Sequence, residues 1–254
     1  MGSAVRALSL FSGIGGIDLA CEWAGIETVA FCEREPFPQR ILKQHWPGVP
    51  IYDDVRTLTK ERLEADGIGA IDIIHGGYPC QPFSVAGLRK GEDDDRHLWP
   101  EVFRLIKEIR PRWFVGENVT GHITMGLDEV CTDLEKENYQ TRVFVLSALS
   151  VGAPHKRERV FVAGNTSGKP KPQADTTTGS IGSERDSREN TTWVTRGSIS
   201  PSYWATHQPP IPGVDDGLPD RVERSIALGN AVVPQQIYPI FAAIMQIDEA
   251  VYGR

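Results

Sequence analysis

Cysteine is scarce in this sequence: four in 254 residues, namely Cys21, Cys32, Cys80 and Cys131. They form no CxxC pair and have no pair of histidines nearby, which argues against a zinc site and against a disulfide framework. Scattered free thiols fit a reducing, intracellular setting. Long apolar runs are also missing. No stretch of about 18 apolar residues occurs, so no membrane-spanning helix is expected. The N-terminus, Met-Gly-Ser-Ala-Val-Arg, lacks the basic-then-apolar layout of a secretory signal. Positive charge is in deficit, with 27 Lys and Arg against 34 Asp and Glu, a net charge of −7. Taken alone, that argues against a nucleic-acid partner, because neutralising phosphates takes clustered Lys and Arg. One such cluster exists, His155-Lys156-Arg157-Glu158-Arg159. It can serve if the acid lies on another face.

What is present is an alternation of short apolar runs and helical patterns over residues 5–163. Ala7 to Phe11 is apolar and stops at Ser12-Gly13-Ile14-Gly15-Gly16. Ile17, Cys21 and Ala24 then recur at helical spacing up to Gly25, a C-cap. Thr28 to Cys32 reads as a second strand, with Glu33 at its end. Residues 36–46 read as a helix, Val49 to Tyr52 as a weak third strand, and Thr59 to Ala65 as a short polar helix. Ile71 to His75 is a strand leading into Gly76-Gly77-Tyr78-Pro79-Cys80-Gln81-Pro82-Phe83-Ser84. Val102, Leu105, Ile106 and Ile109 mark an amphipathic helix. Trp113 to Val115 is a strand, followed by Glu117-Asn118-Val119. Asp128 to Asn138 reads as a helix, and Thr141 to Ala148 and Arg159 to Ala163 as strands. Such alternation predicts an α/β fold with a doubly wound, mostly parallel sheet covered on both faces. Ligands bind beyond the carboxyl ends of such strands, where Gly13, Glu33, Asp54, Cys80 and Glu117 all fall. Residues 165–210 are rich in Thr, Ser, Gly, Asp and Pro, the texture of a poorly structured segment or a small irregular lobe. Leu228 to Pro234 then leads into a helix over 236–252.

The candidate chemistry lies in those loops. The glycines of residues 13–16 let backbone approach a ligand at a helix N-terminus, although a tight strand-to-helix turn explains them equally. An acid at the end of the second strand, Glu33, is placed to bind ribose hydroxyls, and Asp54 could accept from an adenine amino group. Each alone reads as a solvated loop residue; together they outline a nucleoside pocket. Free cysteines are most often buried packing residues. Cys80 instead sits in a proline-fixed loop at the ligand edge, as a nucleophile would. Glu117 follows an apolar strand, so shielding should raise its pKa and keep it protonated as a donor to a ring nitrogen. Arg157 and Arg159 read as phosphate and base contacts or as a solvated charged turn.

Six of these segments, in this order, resemble the motifs of the C5-cytosine DNA methyltransferases. They are Phe11 to Gly16; Gly76 to Ser84; Ser84-Val85-Ala86-Gly87 with Arg96; Glu117-Asn118-Val119; Arg157-Glu158-Arg159; and Gly229-Asn230-Ala231-Val232-Val233-Pro234. The resemblance covers about residues 1–164 and 213–245. It implies a Rossmann-like catalytic domain, residues 1–164 plus 226–254, with a small, partly disordered target-recognition region at 165–225. It implies S-adenosylmethionine as cofactor, S-adenosylhomocysteine as product, no metal, double-stranded DNA as substrate, a monomeric state and a cytoplasmic location. Cofactor binding falls to Phe11, Gly13, Ile14, Gly15, Gly16, Glu33, Arg34, Asp54, Val55, Pro79, Leu98, Asn230, Ala231 and Val232. Catalysis falls to Cys80, which would add to C6 of cytosine, with Glu117, Arg157 and Arg159. DNA contact falls to Gln81, Ser84, Arg96, Arg157 and Arg159. His155 stands where many members have glutamine, and His97 where glycine is usual. The segment between Gly164 and Gly213 is short for a recognition domain, and no clear copy of the family's penultimate motif is present. The compact form resembles phage or prophage enzymes. A related branch that methylates tRNA, and a weakly active DNA-binding homologue, are the alternatives. A nucleotide-dependent oxidoreductase would rest on the glycine turn alone and leave Cys80 without a role.

Overall fold

A computed structural model describes residues 4–79, 98–166 and 221–253. Cys80, Gln81, Ser84, His97 and Arg96 lie outside the described residues, as does most of the 165–225 region. A seven-stranded sheet forms the centre of the described residues. Its strands are β1 (Val5–Leu10), β2 (Ile26–Cys32), β3 (Ile51–Tyr52), β4 (Ile73–Gly76), β5 (Trp113–Val119), β6 (Gln140–Ser147) and β7 (Glu158–Asn165), in the order β3-β2-β1-β4-β5-β7-β6. The first five run parallel. β7 is antiparallel to both its neighbours. The reason is the connection. Parallel neighbours need a crossover, whereas β6 and β7 are joined by a short excursion through a 3-10 turn, Ala148–Val151.

Helices α1 (Gly16–Ala24), α2 (Pro36–His45), α3 (Lys60–Ala65) and α4 (Trp99–Ile109) follow the parallel strands, and α5 (His122–Met125) and α6 (Leu127–Lys136) follow β5. Two more, α7 (Arg221–Asn230) and α8 (Pro234–Tyr252), come at the end. Each face of the sheet has its own core. On one, Ile17, Ala20 and Cys21 of α1 and Ile237, Ile240, Phe241 and Ile244 of α8 pack on Ala7, Trp113, Val115 and Phe161. On the other, Leu63 of α3, Val102, Leu105 and Ile106 of α4 and Val130 and Leu134 of α6 cover Leu8, Leu10, Ile74, Phe114 and Val162. Alternate residues of β1 thus serve opposite cores, as the strand period of two requires. The spacing that predicted α1 also ends it: Gly25 takes φ +82 and its N–H bonds Cys21 O and Glu22 O.

α7 was not foreseen as a helix, and it straddles the boundary expected at residue 225. Its residues Val222, Ile226 and Leu228 are exposed, so no buried stripe announces it. β6 forms the open edge of the sheet and leaves Val143, Phe144 and Val145 exposed. Among the described residues, no helix is long and apolar enough to cross a membrane.

A buried polar cluster links β1, β2, β4 and α1. Asp18 accepts from Ser9 Oγ and Thr28 Oγ1, each at 3.0 Å, and its Oδ1 lies 3.4 Å from His75 Nε2. Burial pushes the Asp18 carboxyl up to about 7 and the His75 imidazole down to about 3. Between about pH 4 and 6.5 the folded pair therefore holds its proton on Asp18, while the unfolded chain holds one on His75. Their linkages cancel in that window. Asp18→Asn removes only the carboxyl. Its stability should then rise with pH there by up to about 1.4 kcal/mol per unit, because the unfolded state binds the extra proton. Denaturant midpoints measured from pH 4 to 6.5 check this; equal slopes for both proteins would refute it.

Candidate active site

The strand order reverses between β1 and β4, and such a switch point opens a crevice at the carboxyl ends of the strands. A cavity of about 840 Å³ lies there. Its floor is the loop after β1. Phe11, Gly13 and Gly15 all take positive φ, which turns the chain sharply into α1. Glu33, at the end of β2, fastens that loop: its Oε2 accepts from Gly13 N at 2.7 Å and its Oε1 from Glu35 N at 2.8 Å. The Glu33 side chain is thereby held at the cavity wall. Asp54, after β3, is gripped by the Arg56 guanidinium at 2.9–3.2 Å, which holds its carboxyl below the usual range.

The far wall is C-terminal. Asn230, Ala231 and Val232 line the cavity, with Glu223, Ile226 and Ala227 of α7 beside them. A Cβ on Gly16 would stand 2.6 Å from Val232 O, so only glycine admits this approach of the last segment to the first loop. The structure brings every expected cofactor residue except Gly15 to the cavity lining. Gly15 instead packs beneath it, against Trp46 and Leu42.

The end of the cavity that holds Glu117 is built from β4 and β5. Glu117 is 8% exposed, and its Oε1 pairs with Arg159 Nε at 2.8 Å across the β5–β7 ladder. Burial raises the Glu117 pKa, and the opposing pull of Arg159 and Arg157 does not cancel it. Oε2 points toward Gly77, where an added Cβ would be 2.8 Å away. Glycine at 77 is thus what lets the carboxyl reach the strand that delivers Cys80. Asn118 Nδ2 donates to Tyr78 O at 3.0 Å, and the Tyr78 hydroxyl is 3.0 Å from His122 Nε2. Those bonds fix the backbone immediately before Pro79, which itself lines the cavity. Among the described cysteines none has thiolate character. Burial raises Cys32 to about 12, Cys21 well above its ordinary value, and Cys131 in the same direction.

Arg157 does not line the cavity. Its Nη2 donates to Gly229 O at 2.9 Å and to Ala231 O at 2.5 Å. Burial, then repulsion from Arg159, lowers its pKa. Sequence reasoning also missed Arg104 on α4. It donates to Val55 O and Leu58 O at 3.0 and 2.9 Å and pairs with Glu101 and Glu108, both at 2.8 Å. It holds the segment carrying Val55 in place. An arginine at helical spacing between two glutamates signals only a surface pair, and its carbonyl partners lie far off in sequence. Among the described residues, no group of three or more His, Cys, Asp or Glu is arranged to hold a metal ion.

This geometry has close relatives. The model of the C-5 cytosine-specific DNA methylase family matches residues 5–209. Type II methyltransferase M.AquIA of Picosynechococcus is 36% identical over 65% of this chain and 73% of its own length. M.FnuDI of Fusobacterium nucleatum is 34% identical over 63% of this chain, but only 46% of its own length is covered. This chain thus spans about half the length of several relatives it matches. Among solved structures, a DNA modification methyltransferase encoded within an E. coli prophage superposes with a TM-score of 0.54 at 26% identity, covering 64% of this chain and 47% of that one. Dnmt2 of S. pombe, at 24% identity over 66% of this chain and 52% of its own, has a TM-score of 0.56 and shares the fold. With Glu117, Arg159, Gly77 and Pro79 meeting at one cavity, and a family model spanning most of the sequence, the chain belongs to the C-5 cytosine-specific DNA methylase family.

Proposed function

We propose that the chain is an S-adenosylmethionine-dependent DNA cytosine-C5 methyltransferase. The observation that carries this is the shielded Glu117–Arg159 pair, facing the strand end that leads to Cys80, at one end of a cavity whose other end holds Glu33. The donor set fits an adenosyl cofactor. Glu33 and Asp54 offer carboxylate oxygens to hydroxyl and amino groups, and Phe11, Val55 and Leu98 give apolar surface to a purine. When bound, the cofactor supplies an electrophilic sulfonium methyl. Cytosine C5 is a poor carbon nucleophile, and covalent attack at C6 corrects that. Cys80 thiolate forms the S–C6 bond while Glu117, whose hold on a proton burial strengthens, donates to N3. C5, now enamine-like, takes the methyl group. Loss of the C5 proton to water re-forms the C5–C6 double bond and expels Cys80 thiolate, and the N3 proton returns to Glu117. Arg159 holds Glu117 and neutralises its charge after the proton has gone. A base inside a duplex hides C6, so the target must flip out. The region at 165–225 supplies target recognition.

Bisulfite sequencing of DNA from cells making the protein should show protected cytosines in one sequence context. Purified protein should transfer tritiated methyl to DNA and not to tRNA. Transfer to tRNA alone would move the substrate to the RNA branch, and transfer to neither polymer would refute the assignment.

A further inference from the structure

Arg157 and the 229–236 segment hold each other from both sides. The guanidinium donates to Gly229 O and Ala231 O, at the end of α7 and just beyond it. In return, the Arg157 carbonyl accepts from Gln236 Nε2 at 2.9 Å, and the same amide donates to Leu146 O at 3.0 Å. Gln236 is fully buried in the first turn of α8. The short link 231–233 between the two helices is therefore pinned at both ends. It is also the cavity wall, and Val232 O rests against Gly16 of the first loop. Arg157 Nε is buried with no hydrogen-bond partner among the described residues, so the head of the side chain is turned into the protein. Its backbone φ of +23 is one that side chains rarely adopt. The two hydrogen bonds and the Gln236 contact hold it there.

We infer that Arg157 is a positioning residue of the cofactor wall, not a DNA contact. It fixes the 229–232 segment, while Arg159, two residues along β7, holds Glu117. One short stretch of chain thus sets the 229–232 wall and the Glu117 end of the cavity. This rests on the methyltransferase reading, since it concerns where the cofactor is held.

The test is Arg157→Lys, with Arg157→Ala beside it. Lysine keeps the charge a phosphate contact needs, but its shorter chain does not reach as far as Nη2, the one atom that donates to both carbonyls. S-adenosylhomocysteine affinity, measured calorimetrically without DNA, should fall about tenfold or more in both variants, the scale of lost charge-assisted hydrogen bonds. DNA binding without cofactor should keep its salt dependence. Unchanged S-adenosylhomocysteine affinity in Arg157→Lys would overturn the inference. So would a salt slope shallower by about one in Arg157→Ala, the mark of a lost phosphate contact. Failure of the unaltered chain to bind S-adenosylhomocysteine would remove the cofactor assignment and this inference together; equal affinity in all three proteins would remove only this inference.

Discussion

Cys80→Ser is expected to lower methyl transfer by on the order of 10⁴-fold or more, the scale on which loss of a nucleophile is felt. It should also abolish the denaturant-resistant adduct that the unaltered protein forms with 5-fluorocytosine DNA and S-adenosylmethionine. Serine keeps the shape but not the chemistry. A thiol is partly ionised near neutrality and intrinsically nucleophilic; an alcohol is neither. No other described cysteine can stand in, because burial holds Cys21, Cys32 and Cys131 in their thiol forms. Fluorine at C5 blocks the step that releases the enzyme, so the adduct reports bond formation apart from turnover. An adduct that survives in Cys80→Ser would show that another group attacks C6.

Glu117→Gln should lower single-turnover methyl transfer by about 10²- to 10⁴-fold, the usual share of a positioned acid or base. The amide keeps a donor and an acceptor but cannot give up a proton to N3. pH gives a second reading of the same residue. Burial raises the Glu117 pKa, so the protonated donor dominates below that value and is lost as pH rises through it. Transfer by the unaltered protein should therefore decline on the alkaline side, and Glu117→Gln should lack that decline. Arg159 works against the shift, and Arg159→Ala should move the decline to higher pH. An alkaline limb that persists in Glu117→Gln would assign it to a different group.

How far the sequence led depended on whether a feature was local. β1, β2, β5 and α1 could be read because their apolar period and their glycine stops lie within a few residues. Glu33 could be placed because a strand end puts the next residue at the crevice; Glu117, expected just past its strand, instead lies within β5, which runs on to Val119, and still lines the cavity. The features that escaped depend on partners far along the chain. Arg104 reaches Val55 and Leu58, Asn118 reaches Tyr78, and Gln236 reaches Leu146 and Arg157. Arg157 is the instructive case. Its charge and its place in a basic cluster pointed outward to DNA, while two carbonyls more than seventy positions away turn its head inward. α7 escaped for another reason: its large apolar residues Val222, Ile226 and Leu228 stay exposed, and among its described side chains only Ala227 is buried, so the helix packs no apolar stripe of its own.

The packing of α8 against α1 bears on how the protein is made. One face of the sheet presents Trp113, Val115 and Phe161 to Ile237, Ile240, Phe241 and Ile244. Those strands leave the ribosome well before α8 does. Until α8 is made, α1 is the only one of the two helices on that face. A nascent chain stalled before α8 therefore presents part of an apolar sheet face. Closing so long a loop is slow relative to pairing neighbouring strands. Synthesis of α8 covers that face and holds the adjoining 231–233 link against the first loop.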